Sequence, residues 1–101
     1  MPQPGTPASL DEIRDRIDAL DTELVELLAR REELVRAAAR FKKDEQAVRA
    51  PDRVERVVAA ARTEAERAGL SPQVAEAVWR AMIAAFVDLE LTAHGRLRAQ
   101  P

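Results

Sequence analysis

The sequence has no cysteine, one histidine, three glycines and three aromatic residues among its 101 residues. Without cysteine there is no disulfide framework and no thiolate metal site, and His94 cannot build a zinc site alone. The net charge of −2 at pH 7 argues against a nucleic-acid partner, because duplex-binding proteins usually carry a basic surplus. We therefore expect neither a metal centre nor nucleic-acid binding.

Long apolar runs are also missing. None approaches the roughly 20 residues that span a bilayer, so we expect no contact with membranes. The first eight residues contain Pro and Gly and no apolar core, unlike a signal peptide. We expect a cytoplasmic protein with a disordered N-terminal tail over 1–8 and one helical domain over 9–101.

What the chain does contain is helix-forming residues at helical spacing. Ser9 and Glu12 form an S-x-x-E capping box, and apolar residues then recur with the helical period up to Val48 without Gly or Pro. This pattern predicts a first helix over 10–48. A helix of that length with one apolar stripe usually needs a partner helix, and a plain coiled-coil or bundle helix fits the pattern as well.

Proline and glycine mark the joints between the remaining helices. Pro51 suits a first helical turn, so a second helix over about 52–68 is predicted, with Gly69 as its left-handed C-cap. Pro72 restarts the chain, and a third helix over about 72–97 follows. No strand alternation occurs, so the predicted fold class is all-α.

Several cations fall on the apolar stripe of the first helix. On a wheel of about 100° per residue centred on Ile17, Arg31 lies about 40° away and Lys42 about 20° away. Arg14 lies at the edge of the stripe. Buried cations cost several kcal/mol unless they are paired, so Arg31 and Lys42 require an anion.

Two sources of that anion are open. On the third helix Glu90 lies within about 40° of Phe86, inside the stripe, and could form an internal salt bridge with Lys42 or Arg31. Arg53, in the first turn of the second helix, is a further cation, so the cations outnumber the single acid Glu90. The surplus of cations favours a ligand with two carboxylates, which Arg pairs in bidentate fashion.

These residues resemble the all-helical (type II) chorismate mutases over nearly the whole chain. The segment Ile13–Asp21 is similar to the family's I-R-x-x-I-D-x-L-D opening, and Leu27–Arg31 is similar to its L-L-A-x-R segment. Lys42 and Arg53 fall at the family's later basic positions. The combined spacing makes the resemblance specific.

The resemblance implies an intertwined homodimer of three-helix protomers with two identical sites and no cofactor. Arg14 of the other protomer and Arg31 would hold the two carboxylates of a chorismate-like substrate. Lys42 would donate to its ether oxygen, with Arg53 nearby. Glu90 stands where many members have Gln and some have Glu.

The chain also departs from the usual mutase pattern. Two acids that flank the start of the second helix in typical mutases correspond here to Ala50 and Val54, and a polar residue of the third helix corresponds to Phe86. The predicted site residues are catalytic Lys42 and Glu90 and substrate-binding Arg14, Arg31, Arg53, Val54 and Phe86.

The function implied is the rearrangement of chorismate to prephenate, or of a derivative such as 4-amino-4-deoxychorismate. A neutral Glu90 could hydrogen-bond an ether oxygen, whereas a charged Glu90 would suit the ammonium group of that derivative. The stretches 38–42 and 50–54 are similar to the isochorismate pyruvate lyase branch, which makes salicylate and pyruvate. A third hypothesis is a non-catalytic helical dimer that regulates a partner enzyme.

Overall fold

A computed structural model describes residues 6–99 of the chain. Over these residues there are four helices and no strand, which confirms the all-α class. The helices are α1 (Leu10–Ala39), α2 (Glu45–Arg49), α3 (Pro51–Ala68) and α4 (Pro72–Ala99). Within 6–99, no helix combines the length and the apolar character needed to cross a membrane. Most of the predicted tail over 1–8 and the last two residues of the predicted domain lie outside the described residues.

The predicted cap at the start of α1 is confirmed. The Ser9 side-chain oxygen accepts a hydrogen bond from the Glu12 backbone N–H at 3.1 Å. The Glu12 carboxylate in turn accepts from the Ala8 N–H at 2.9 Å, one residue earlier than the reciprocal bond of a capping box. These two bonds satisfy amides that have no acceptor within the helix.

The first helix is shorter than predicted, and a continuous helix over 10–48 is wrong. After Ala39 the chain forms a tight turn, in which the Lys42 N–H donates to the Ala39 carbonyl at 3.4 Å. Asp44 then has an extended backbone, and its carboxylate accepts from the Ala47 N–H at 2.8 Å as the N-cap of α2. An Asp side chain stabilises a helix start better than a helix interior. It therefore helps to begin a new helix where no Gly or Pro interrupts the sequence.

The joints before and after α3 both use left-handed backbone. Gly69 has φ 81°, and the Leu70 N–H donates to the Ala65 carbonyl at 2.8 Å, which confirms the predicted glycine C-cap. Ala50, between α2 and α3, has φ 36° and ψ 62°. A residue with a Cβ atom is strained in that region, so Ala50 carries a local strain that Gly69 does not.

Residues up to Glu33 form one compact unit. Apolar side chains of α1 in this unit are exposed at Leu10, Ile13, Ile17, Leu20, Leu24, Val25, Leu27 and Leu28. All but Val25 and Leu28 follow the alternating three- and four-residue spacing of a coiled-coil seam. A helix of this kind usually packs along another helix.

Residues from Leu34 onward form the second unit. Here α4 packs against α2 and α3. The buried apolar residues are small or β-branched: Ala39, Val48, Val58, Ala65, Ala75 and Ile83. Two ion pairs of 2.8 Å join α3 to α4, Arg80 with Glu55 and Arg62 with Glu76. This unit therefore has a core and a set of polar contacts of its own.

Candidate functional site

A buried polar cluster in the second unit brings together Lys42, Glu90 and His94. Glu90 and His94 lie four residues apart on α4, so both side chains project from one face of that helix. Both are buried, with 5% and 6% of their surface exposed. They meet Lys42, which lies in the turn between α1 and α2. The cluster is thus built from one helical face and one turn.

The Lys42 ammonium and the Glu90 carboxylate form an ion pair. The Lys42 Nζ donates to Oε1 of Glu90 at 3.1 Å and lies 2.8 Å from Oε2. Despite that short distance, Oε2 receives no well-directed hydrogen bond from any described residue. It therefore keeps a lone pair for a further donor, and the ammonium compensates the buried negative charge.

The same lysine is held at its main chain. The Nε2 atom of His94 lies 2.7 Å from the Lys42 carbonyl oxygen. A carbonyl oxygen can only accept, so Nε2 carries the hydrogen in this bond. Lys42 is thus contacted at both its ammonium and its carbonyl by side chains of α4.

The internal salt bridge that the sequence left open is therefore formed, between Glu90 and Lys42. Lys42 does not reach this position through the stripe of the first helix, because α1 ends three residues before it. The helical-wheel argument for Lys42 is consequently wrong, although the residue is placed beside Glu90. Asp44, a strong N-cap residue followed by Glu45, is the signal in the sequence that could have revealed the break.

His94 is the residue of this cluster that the sequence interpretation missed. From the sequence, His94 was considered as a zinc ligand, and it cannot build a zinc site alone. On the helical wheel His94 follows Phe86 and Glu90 at successive intervals of four residues. That spacing places it on the apolar face and could have predicted its burial.

Two open cavities lie in the second unit. The first, of about 370 Å³, is lined by Ala39, Arg40, Phe41, Lys42, Lys43, His94 and Leu97. The second, of about 350 Å³, is lined by Arg49, Pro51, Val54, Glu55, Arg80, Ile83, Ala84, Val87 and Asp88. Lys42 and Val54, both predicted site residues, therefore line different cavities.

The other predicted site residues are distributed as follows. In the second unit Arg53 is exposed in the first turn of α3, and Phe86 is half-buried on α4, one turn before Glu90. In the first unit Arg14 is exposed and Arg31 is half-buried on α1. Arg31 has an interaction partner within the structure, so it is not a free cation.

Among residues 6–99, no group of three or more His, Asp or Glu side chains is arranged to hold a metal ion. The ion pairs of α3 and α4 form a separate surface network around Arg80, which binds both Glu55 and Glu76. Hydrogen bonds from Arg80 lower the pKa of both carboxyl groups. This network is exposed and joins helices, so we assign it a structural role.

Comparison with known proteins adds the family context. The sequence model of the family described as chorismate mutase type II matches residues 13–91. The chain is 36% identical over 83 residues to an isochorismate pyruvate lyase of Pseudomonas aeruginosa, covering 82% of each chain. It is 40% identical over 73 residues to the T-protein of Haemophilus influenzae, covering 71% of this chain and 19% of that protein.

Proposed function

The chain belongs to the chorismate mutase type II family, a family of enzymes, and we propose that it rearranges chorismate, or a close derivative, to prephenate or its analogue. The observation that carries this proposal is the Lys42 ammonium held beside a buried carboxylate in the second unit. An ammonium fixed in a partly desolvated place can stabilise negative charge that develops on a substrate oxygen.

The proposed reaction is pericyclic. The ether C–O bond of the substrate breaks while the methylene carbon of its enolpyruvyl arm bonds to the ring, and no proton, electron or cofactor is exchanged. Much of the catalysis comes from holding the flexible arm over the ring. Lys42 adds selective stabilisation of the transition state, in which the ether oxygen gains negative charge.

Glu90 sets a condition on this chemistry. In the free protein the Glu90 carboxylate forms an ion pair with the Lys42 ammonium. A substrate ether oxygen must therefore either bind the ammonium beside Glu90 or displace Glu90 from it. An ammonium has three donors and can serve two acceptors at once. We propose that Lys42 keeps its bond to Glu90 and directs a second N–H to the ether oxygen. A substrate ammonium group beside Oε2 of Glu90 would suit a 4-amino derivative.

The family pattern assigns the two substrate carboxylates to two arginines. Arg31 and Arg14 would hold the two substrate carboxylates, since a guanidinium pairs a carboxylate through two parallel hydrogen bonds. Arg53, Val54 and Phe86 would contribute to the substrate-binding surface. We assign these roles from the family pattern at matching positions of this sequence.

We further propose a homodimer in which Arg14 is donated across the interface. The exposed apolar row of the first unit supports it, because monomeric proteins rarely expose a long contiguous apolar surface. A second copy would cover this row with an identical one, as two-fold symmetric dimers do. Each site would then combine Lys42 of one protomer with Arg14 of its partner.

Elimination of pyruvate from isochorismate, which yields salicylate, is a second candidate. It is favoured by the 36% identity to the lyase over most of both chains and by Ala50, since the lyase branch also lacks the first of the two acids of typical mutases. In this reaction the same ether bond breaks, but a ring hydrogen instead of a ring carbon joins the enolpyruvyl methylene. A non-catalytic dimer that regulates a partner enzyme is the remaining hypothesis.

One assay separates these functions. Purified protein is incubated with chorismate, isochorismate and 4-amino-4-deoxychorismate in turn, and the products are separated by chromatography. Prephenate or its amino analogue supports the mutase, and salicylate with pyruvate supports the lyase. No turnover of any of the three substrates would exclude both enzymes and leave the regulatory dimer.

A further inference from the structure

The turn that carries Lys42 is not dictated by its own residues. Arg40, Phe41, Lys42 and Lys43 include three good helix formers and no Gly or Pro, so a continuous helix is locally acceptable. In such a helix the Lys42 carbonyl would accept from the backbone N–H of Gln46, four residues on. Contacts from elsewhere must therefore favour the turn.

His94 supplies one such contact. Its Nε2–H donates to the Lys42 carbonyl at 2.7 Å in a partly buried contact, where the loss of the carbonyl's partner would cost free energy. Asp44 supplies the other by capping α2. These contacts use the Lys42 carbonyl and the Ala47 N–H. In a continuous helix both groups would instead form bonds within the helix backbone.

The same helical face then receives the ammonium of Lys42. Glu90 lies one turn before His94 on α4 and binds Nζ, while His94 binds the carbonyl. Holding both ends of one residue from one rigid helix restricts where the ammonium can lie. A shift of the main chain would move the ammonium with respect to Glu90 and to any bound substrate.

We infer that His94 is a positioning residue, which fixes the backbone of Lys42 and thereby the place of its ammonium in the site. His94 itself need not touch the substrate. This inference rests on the proposed function for its effect on catalysis, but its structural part stands independently of the reaction.

The kinetic test compares two substitutions of similar length. His94→Met removes the donor, whereas His94→Gln keeps an N–H close to the place of Nε2. We expect His94→Met to lower kcat about 10-fold or more, because misplacement of a catalytic group by about 1 Å can cost as much as 100-fold. KM should change little, since the contact with Lys42 acts in the transition state. His94→Gln should restore most of kcat, and Arg96→Gln, at an exposed position, controls for general changes in α4.

Two kinetic results would overturn the inference. One is a folded His94→Met variant with wild-type kcat. The other is a His94→Gln variant whose kcat falls as far as that of His94→Met. If His94→Met does not fold, the Gln variant still decides, because a retained donor must retain kcat.

A double-mutant cycle tests the structural part without any substrate. The free energy of unfolding is measured at one protein concentration for wild type, Lys42→Met, His94→Met and the double variant. The His94 bond is made to the main chain of residue 42, so removing the lysine side chain leaves that bond available. If His94 positions the ammonium, the two effects are non-additive. Additive effects overturn the inference, whereas absence of turnover by the wild type with non-additive effects removes only the proposed function.

Discussion

The two units of this chain differ in how much of their apolar surface they bury. The first unit presents a row of leucines and isoleucines on α1 that is largely exposed, with Leu24 at 54% and Leu20 at 58%. The second unit buries its own small core and pairs Glu90 and His94 with Lys42. A chain of this size gains little from a core that uses only part of its apolar residues.

This difference indicates what each unit contributes to function. The second unit contains a buried polar cluster, in which side chains of α4 contact both the ammonium and the carbonyl of Lys42. The first unit carries Arg14 and Arg31 on the helix whose row of apolar side chains is exposed. We therefore expect the position of the Lys42 ammonium to depend on contacts within one chain, and the proposed contact of Arg14 with substrate to depend on dimer formation.

The largest effect is expected for Lys42→Ala. Removing an ammonium that stabilises charge in the transition state should lower kcat about 100- to 1,000-fold. Lys43→Ala, at the neighbouring exposed position, should remain close to wild type. Steady-state kinetics on the substrate found active measures both. Because Lys42→Ala leaves Glu90 buried without its cation, Lys42→Ala/Glu90→Gln is measured beside it to separate folding from catalysis. Full activity of Lys42→Ala would contradict the proposed catalytic role of Lys42.

A smaller effect is expected when the exposed row of the first unit is disrupted. Leu24→Glu should weaken the proposed homodimer by about 1.5–3 kcal/mol per protomer, the value of burying one leucine side chain. Val25→Glu is the matched control, because Val25 lies off the seam spacing and is 65% exposed. Sedimentation velocity over a range of concentrations gives the association state of both. Equal behaviour of the two variants would argue against this row as the interface.

Ala50→Gly should stabilise the second unit slightly. Glycine adopts the left-handed region without the strain that a Cβ atom causes, and its greater freedom in the unfolded chain offsets part of the gain. We expect a net increase of about 0.5–1 kcal/mol in the free energy of unfolding. Ala60→Gly, at an exposed position inside α3, should instead lose about 1 kcal/mol. Urea unfolding measures both, and destabilisation by Ala50→Gly would contradict the strain at Ala50.

The smallest effect concerns acid stability of the α3–α4 contact. Hydrogen bonds from Arg80 lower the pKa of Glu55 and Glu76, so the folded protein binds these protons less readily than the unfolded chain. Their contribution to stability is present above the ordinary value of 4.5 and is lost as the pH falls through the lowered values. Arg80→Gln should therefore make stability less dependent on pH below that value, whereas Arg56→Gln should not. Thermal unfolding over a pH series checks this, and identical pH profiles for Arg80→Gln and wild type would contradict it.

Much of the fold could be predicted because its boundaries depend on local chemistry. The Ser9 cap, the Gly69 C-cap and the start of α4 at Pro72 follow from residues whose backbone preferences act over one helical turn. The break after Ala39 was missed because it depends on Asp44 and on a contact between Lys42 and His94, which are 52 residues apart. Helical periodicity carries no information about a contact of that range.

In the candidate site, too, the sequence did not reveal contacts between residues that are distant along the chain. Glu90 could be recognised as a carboxyl on an apolar face, and its pairing with Lys42 was one of two alternatives. His94 was overlooked because a single histidine near a helix end has several uses, and only its main-chain partner distinguishes them. The roles of Arg14, Arg31, Arg53, Val54 and Phe86 stay predictions, because they concern a bound substrate and a second copy of the chain.

Mixing two inactive variants tests most directly whether each site draws on both protomers. Arg14→Ala and Lys42→Ala chains are co-refolded in equal amounts and assayed on the substrate found active, with each variant alone as a control. If Arg14 crosses the interface, every mixed dimer has one intact site and one doubly defective site. Random pairing then gives about one quarter of wild-type activity. If both residues serve the same site from one chain, every site of the mixed dimer has a defect, and the absence of recovered activity would contradict the account.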